Sequence, residues 1–125
     1  MKLSEIERKL ILFEGFVKKM PVPGGLTPSG DTPEKACKMA QRLYRDAQGE
    51  VKYYERRKSE MICDVQPELE EPGFFRRLFK SEQVKELKLR LYTAMANYDR
   101  RLALYRSNEA MCEAEMHDWE LRVFK

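Results

Sequence analysis

Several features that mark membrane, secreted and metal-binding proteins are scarce in this sequence. No apolar run approaches the ~18 residues that cross a bilayer, and the charged N-terminal segment lacks the apolar stretch of a secretory signal. The three cysteines, Cys37, Cys63 and Cys112, are odd in number and widely spaced, which fits neither a disulfide framework nor a paired metal knuckle. The sequence therefore predicts a cytoplasmic protein with reduced thiols.

Residue types that support catalysis are also sparse. The only histidine is His117, and the glycine pair at 24–25 is not followed by the Lys-Ser/Thr of a phosphate loop. Glu109, Glu113 and His117 are spaced four residues apart, which places them near one helix face. This pattern favours a row of ion pairs over a metal site, because no second helix supplies another acid and histidine. We therefore expect no enzymatic activity, no cofactor and no bound metal.

The sequence does contain abundant charge of both signs and an ordinary apolar fraction. Its 125 residues include 24 Lys and Arg against 21 Asp and Glu, for a formal net charge of +3, and 42% of the residues are hydrophobic. A chain with this apolar fraction can bury a core, so it is not a disordered polyelectrolyte. Length and composition together predict a single folded domain.

Apolar spacing predicts an all-α fold. Hydrophobic residues recur at gaps of three and four in three segments, which is the period of a helix buried on one side. Proline and glycine separate these segments, and the sequence Asp31-Thr32-Pro33-Glu34 is typical of a helix start, with Asp31 as the cap. The predicted elements are a first helix at about 3–20, a linker at 21–31, a second helix at about 32–62, a loop at 63–80 and a third helix at about 81–124.

The third predicted helix carries a heptad repeat along its whole length. Neither glycine nor proline occurs between Ser81 and Lys125, and only two of twelve heptad positions are polar. We therefore predict an elongated antiparallel helical hairpin, similar to a coiled coil, with the shorter first helix packed on it. The twelve positions are Val84, Leu91, Tyr98, Tyr105, Cys112 and Trp119, together with Lys88, Met95, Leu102, Glu109, Met116 and Val123.

The unequal lengths of the two long helices mean that one end of the third helix extends beyond the second. A register that sets Tyr54 beside Leu91 pairs small residues with large ones along most of the hairpin. The C-terminal end of the third helix is then left without a partner. We therefore expect the first helix to cover Met116, Trp119 and Val123.

Aromatic and basic residues near the loop form the predicted partner-binding site. Tyr53 and Tyr54 cannot both join the helical seam, since adjacent helical residues point about 100° apart. Residues 74–80 place apolar and basic side chains on opposite helical faces. Tyrosine and arginine often dominate the binding energy of protein interfaces. The predicted site comprises Tyr53, Arg56, Arg57, Phe74, Phe75, Arg76, Arg77, Phe79 and Lys80.

These features predict a non-enzymatic protein–protein interaction module, such as an adaptor, an inhibitor or an assembly component. It is expected to bind another protein through this site or through the exposed face of the third helix. Nucleic-acid binding is one alternative, because residues 35–106 carry seventeen positive and eleven negative side chains. Weak attachment of residues 74–80 to a membrane surface is another. A homodimer is a third, through residues outside the seam: Leu89, Leu104, Met111, Leu121 and Phe124.

Overall fold

Helices make up about 85% of the residues described by the computed structural model, which are residues 2–70 and 82–124. These helices are α1 at Leu3–Lys19, α2 at Pro33–Ile62, α3 at Val65–Glu70 and α4 at Glu82–Val123. The long helices α2 and α4 pack against each other, and α1 packs on them. No β-strand occurs in the described ranges, so the predicted all-α hairpin with a shorter third helix is confirmed. None of these helices has an apolar stretch long enough to span a membrane.

The start of α2 follows from its first residues. Pro33 occupies the first helical position, where its missing N–H costs no hydrogen bond. The Thr32 hydroxyl accepts a hydrogen bond from the Lys35 backbone N–H at 3.3 Å, which caps the helix. Asp31 instead forms an ion pair with Lys35 at 3.5 Å. The helix thus begins one residue after the predicted start, and its cap is Thr32 rather than Asp31.

The short helix α3 lies inside the segment that was predicted to be a loop. Val65 is fully buried and Leu69 is 3% exposed, so one helical face of this segment joins the core. Pro67 does not interfere, because it lies in the first turn, where the backbone N–H has no intrahelical acceptor. The loop prediction is therefore wrong for residues 65–70. Residues 63–64 form a turn between α2 and α3, and the remainder of the predicted loop, residues 71–80, lies outside the described residues.

The chain divides into two units. Unit 1 consists of residues 1–20 and 56–101, and unit 2 consists of residues 21–55 and 102–125. The boundary falls within both long helices, so each unit contains one part of α2 and one part of α4. Unit 1 also contains α1 and α3, and unit 2 contains the linker between α1 and α2.

The core of unit 1 forms where α1 packs against α4. Phe13 and Tyr98 are fully buried, and their rings stack with their centroids 5.4 Å apart. Burial of large aromatic side chains contributes strongly to stability, and ring stacking adds to it. The other fully buried side chains of unit 1 are Ile6, Leu10, Val65 and Leu91.

Polar contacts around this core show which part of the structure α1 covers. Arg90 donates a hydrogen bond to Glu14 at 2.5 Å, and Lys9 forms an ion pair with Asp64. The hydrogen bond from Lys9 holds the pKa of Asp64 below its usual value. Helix α1 thus packs within unit 1, on the N-terminal part of α4. The expectation that it covers residues 116–123 is wrong, since those residues belong to unit 2.

The core of unit 2 combines small residues of α2 with an aromatic residue of α4. Ala40 and Ala47 are 1% and 3% exposed, and side chains this small let a partner helix approach closely. Tyr105 is 2% exposed, and its ring centroid lies 4.5 Å from that of Tyr54. The Tyr105 hydroxyl donates a hydrogen bond to the Pro21 carbonyl at 2.5 Å, which ties the linker to α4.

The register of α2 against α4 differs from the predicted one by two heptads. Tyr54 meets Tyr105 rather than Leu91, a displacement of fourteen residues along α4. Within unit 1, the Lys58 ammonium lies 2.7 Å from the Asp99 carboxylate, as an antiparallel pairing requires. Registers that differ by whole heptads present the same faces to each other, so the repeat alone does not select among them. The predicted register is therefore wrong, although the predicted faces are right.

The heptad prediction holds along α4, with a drift at one end. None of the twelve predicted positions is exposed, and four of them are buried. Leu87 and Ala94 are also buried, at 3% and 5% exposure, although they lie outside the predicted set. A helix with 3.6 residues per turn drifts about 20° per heptad from a strict repeat. The buried face near the N-terminus of α4 therefore includes positions that a strict repeat omits.

The burial of Phe13 predicts a large stability difference between neighbouring residues of α1. Replacing Phe13 with Ala should lower the free energy of unfolding by about 3–5 kcal/mol, because the change leaves a cavity beside Tyr98. The matched control is Leu12→Ala, since Leu12 is 61% exposed and should change stability by only about 0.5 kcal/mol. Urea denaturation followed by circular dichroism measures both. Equal losses would contradict this account of the unit 1 core.

The register predicts energetic coupling between Tyr54 and Tyr105. In a double-mutant cycle with alanine at each position, the coupling energy should be about 0.5–1.5 kcal/mol, since the two rings are in contact. A second cycle that pairs Tyr54 with Leu91 should be additive within about 0.5 kcal/mol. Denaturation midpoints and slopes give both values. Coupling in the second cycle and none in the first would restore the register expected from the sequence.

Candidate protein-interaction site

A groove of about 240 Å³ lies in unit 2 between the linker and α4. The linker residues Val22–Leu26 form one side of it. The other side is the part of α4 between Leu104 and Glu115. The hydrogen bond from Tyr105 to Pro21 holds the start of the linker against α4, next to the groove.

Two glycines allow the linker to run close to α4. Gly24 and Gly25 have φ angles of 92° and 94°, in the left-handed region that other residues rarely adopt. A Cβ atom on Gly24 would also lie 3.0 Å from the Asn108 Oδ1 atom. The backbone conformation of position 24 therefore favours glycine, and a larger residue would also require the Asn108 side chain to shift.

Large apolar side chains are exposed along this groove. Val22 and Leu26 are 80% and 67% exposed on the linker side, and Leu104 and Met111 are 50% and 57% exposed on α4. No described residue of α4 beyond Tyr105 is buried. Adjacent exposed apolar side chains rimmed by polar residues are typical of interaction sites. The groove is therefore our candidate site for binding a protein.

The electrostatic environment of the groove is acidic. The Glu115 carboxylate lines the groove directly. Burial raises the pKa of the Cys112 thiol, and the charges of Glu115 and Glu50 raise it further. Because the thiolate is the reactive form of cysteine, a raised pKa makes Cys112 a poor nucleophile.

A second exposed apolar patch lies at the end of α4. Leu121 and Phe124 are 62% and 77% exposed, and they border an open hollow with His117 and Glu120. The His117 ring nitrogens lie 3.7 Å from Glu113 and 3.9 Å from Glu120. These distances suit ion pairs when the imidazole is protonated. Within residues 2–70 and 82–124, no group of three or more His, Cys, Asp or Glu side chains is arranged to hold a metal ion.

Two other acids of α4 take part in packing against α2. Desolvation raises the pKa of the Tyr44 hydroxyl, and the charges of Glu113 and Glu109 raise it further. Tyr44 donates a hydrogen bond to Glu113 and accepts one from Gln48 at 3.0 Å. Glu109 and Glu113 therefore face α2 and do not add to the acidic environment of the groove.

Three of the nine predicted partner-binding residues are described by the structure. Tyr53, in unit 2, is 43% exposed. Arg56 and Arg57, in unit 1, both pair with Glu60, at 3.3 Å and 3.2 Å, and the Arg57 guanidinium also lies 5.8 Å from the centroid of the Phe16 ring. The other predicted residues, Phe74, Phe75, Arg76, Arg77, Phe79 and Lys80, lie outside the described residues.

Ion pairs involve several of the described basic residues of unit 1. Each of five cations has a carboxylate within 3.8 Å. Charges that are paired internally have less to gain from an external partner, because binding must first break or share those contacts. The pairs are Arg56 and Arg57 with Glu60, Lys58 with Asp99, Lys85 with Glu82, and Arg90 with Glu14.

Sequence reasoning found one side of the groove and missed the other. Leu104 and Met111 were assigned to the outside of the helical seam from their heptad phase, and both are at least half exposed. Val22 and Leu26 were treated only as part of a linker. The glycine pair between them was the available signal, since consecutive glycines in a short linker indicate a special backbone path.

Comparison with protein-family models, curated proteins and solved structures gives no match to this chain. Its function must therefore be argued from the geometry and chemistry of the described residues.

The raised pKa of Cys112 predicts slow alkylation. At pH 8, Cys112 should react with iodoacetamide more slowly than the exposed Cys63, as measured at each site by mass spectrometry. Replacing Glu115 with Gln should speed the reaction at Cys112 roughly twofold, because a lower pKa leaves more thiolate at the same pH. The control is Glu113→Gln, which removes an acid that faces Tyr44. Equal effects of the two variants would contradict the assigned role of Glu115.

Proposed function

We propose that this chain is a non-enzymatic protein–protein interaction module that binds its partner in the groove of unit 2. The observation that carries the proposal is the exposure of four large apolar side chains around one groove, on two elements that are fixed to each other. Isolated exposed apolar residues are normal on protein surfaces, but a concave group of them is typical of binding sites. The four are Val22, Leu26, Leu104 and Met111.

The chemistry of the groove indicates the kind of segment that would bind there. Apolar walls would accept one or two aliphatic or aromatic side chains, which commonly supply most of the affinity at small interfaces. The Glu115 carboxylate in the groove favours a basic residue beside those anchors. The expected partner is therefore a protein segment that combines apolar and basic side chains.

The size of the groove suits a small and reversible interface. Burial of exposed aliphatic side chains contributes roughly 1–2 kcal/mol each, and association itself opposes binding by several kcal/mol. Four such side chains are enough for a transient complex and too few for an obligate one. An adaptor, an inhibitor and an assembly component all fit this range.

The test is a comparison of two matched double variants. Replacing Leu104 and Met111 with Gln should leave the melting temperature unchanged and weaken partner binding at least tenfold, because both side chains are exposed in the free protein. The control variant replaces Ile11 and Leu12 with Gln, since these are 53% and 61% exposed on α1. The candidate partner is a protein from the source cell that the wild type and the control variant capture and the groove variant does not. This protein would be purified for titration.

Titration with the purified partner should also protect Cys112 from alkylation, which locates the contact in the groove. A partner that binds the groove variant as tightly as the wild type would overturn the proposal.

Sedimentation velocity distinguishes a homodimer from a complex with a different protein. If the 14.9 kDa chain self-associates and the Leu104 and Met111 substitutions abolish this, the occupant of the groove is a second copy rather than a different protein.

A further inference from the structure

The outer face of α2 in unit 2 carries a row of basic side chains. Lys38, Arg42, Arg45 and Lys52 are all exposed, and their spacing of four, three and seven residues keeps them on one helical face. Gly49 occupies the place between Arg45 and Lys52 in this row. Successive turns of 100° per residue put the row on the side opposite the buried alanines, so it faces away from the core.

None of these four cations forms an ion pair within the part of the chain that the structure describes. Asp46 follows Arg42 by four residues, a spacing that supports ion pairs on helices, yet the two side chains are not paired. This differs from the described basic residues near the loop end, such as Arg56 and Lys58, which are paired with carboxylates. The row thus combines four like charges that repel one another and that form no direct ion pair with a described carboxylate.

Gly49 adds an independent observation in the middle of the row. Glycine within a helix lowers its stability relative to alanine. The interior of the protein gives no reason for it here, because a Cβ atom at this position would meet nothing within 4 Å and the backbone φ is not in the left-handed region. A missing side chain at an exposed position lets a ligand approach the helix backbone between Arg45 and Lys52.

The chemistry of this face distinguishes among anionic ligands. The positions that form the row hold charged residues and glycine, and the exposed Tyr53 lies only at one end of it, so charge dominates this face. Phosphate contacts need no apolar anchors, since lysine and arginine supply them directly. We propose that the row Lys38, Arg42, Arg45 and Lys52 binds the sugar–phosphate backbone of a nucleic acid, without reading its base sequence.

The dimensions of the row suit this ligand. Fourteen residues separate Lys38 from Lys52, which is about 21 Å along α2 at 1.5 Å per residue. Each strand of a duplex presents one phosphate per ~3.4 Å of its axis, so the row spans about six base pairs. This site is separate from the groove and is independent of the proposed function.

The primary test is binding of a fluorescently labelled duplex of about 20 base pairs, measured by anisotropy as a function of salt. Four phosphate contacts predict a slope of log affinity against log salt of about −3 to −4, so the affinity should fall roughly 100-fold between 50 and 200 mM salt. Duplexes of different sequence should bind equally. No binding at 50 mM salt, or a strong preference for one sequence, would overturn the proposal.

Two charge-matched variants locate the site. The first replaces Lys38, Arg42, Arg45 and Lys52 with Gln and should lose at least tenfold in affinity and most of the salt dependence. The second, the control, removes two Lys and two Arg that are exposed and unpaired among the described residues of unit 1. Each variant lowers the formal net charge from +3 to −1. An equal loss of duplex affinity in both variants would show that overall charge attracts the duplex, and it would overturn the assignment of the row as the binding site. The control substitutions are Arg8→Gln, Lys18→Gln, Lys19→Gln and Arg100→Gln.

A third variant tests the role of Gly49 without changing charge. Gly49→Leu should keep the helical circular dichroism signal and weaken duplex binding at least threefold, because its side chain projects between Arg45 and Lys52. An unchanged affinity would remove Gly49 from the site.

Two competitors test the ligand class, namely polyglutamate and vesicles containing anionic lipid. If either binds the wild type more tightly than the duplex does, the row recognises an acidic protein or a membrane and the proposal is wrong.

Discussion

The contact between Tyr54 and Tyr105 sets the register in which α2 and α4 pair, and the rest of the fold depends on that register. Helix α4 has 42 residues and α2 has 30, so part of α4 must be covered by something else. Because Lys58 meets Asp99 only four residues before α2 ends, the uncovered part is the N-terminal segment of α4. Helices α1 and α3 supply the missing apolar surface there, with Phe13 stacked on Tyr98.

The same packing explains why exposed apolar residues concentrate in unit 2. In unit 1, α1 adds a third helix, and the inner faces of α1 and α4 are fully buried at residues such as Leu10 and Leu91. In unit 2, the third element is a linker without regular structure, and it covers less surface than a helix does. Leu104 and Met111 therefore remain exposed beside Val22 and Leu26. The candidate site lies where the fold has a linker in place of a helix.

Much of the fold follows from the sequence, because helix period and breakers are local signals. The bounds of the three long predicted helices agree with the structure to within one residue at each end that it describes. The register of α2 against α4 could not be predicted from the sequence, because registers that differ by whole heptads bury the same faces. Only long-range contacts such as Tyr54 with Tyr105 select one of these registers. The predicted position of α1 was wrong for the same reason, because it was derived from the predicted register. The basic row on α2 was overlooked because charges were counted by segment, whereas Arg42 and Arg45 belong together only by helical face.

The two candidate surfaces of unit 2 call for opposite chemistry, so neither can replace the other. A protein interface excludes charge from its centre, whereas phosphate binding requires unpaired cations on a surface open to solvent. A glycine lies at each surface, Gly24 at the groove and Gly49 in the basic row. The positive φ of Gly24 favours glycine at that position, whereas Gly49 has no internal requirement and costs up to ~1 kcal/mol relative to alanine.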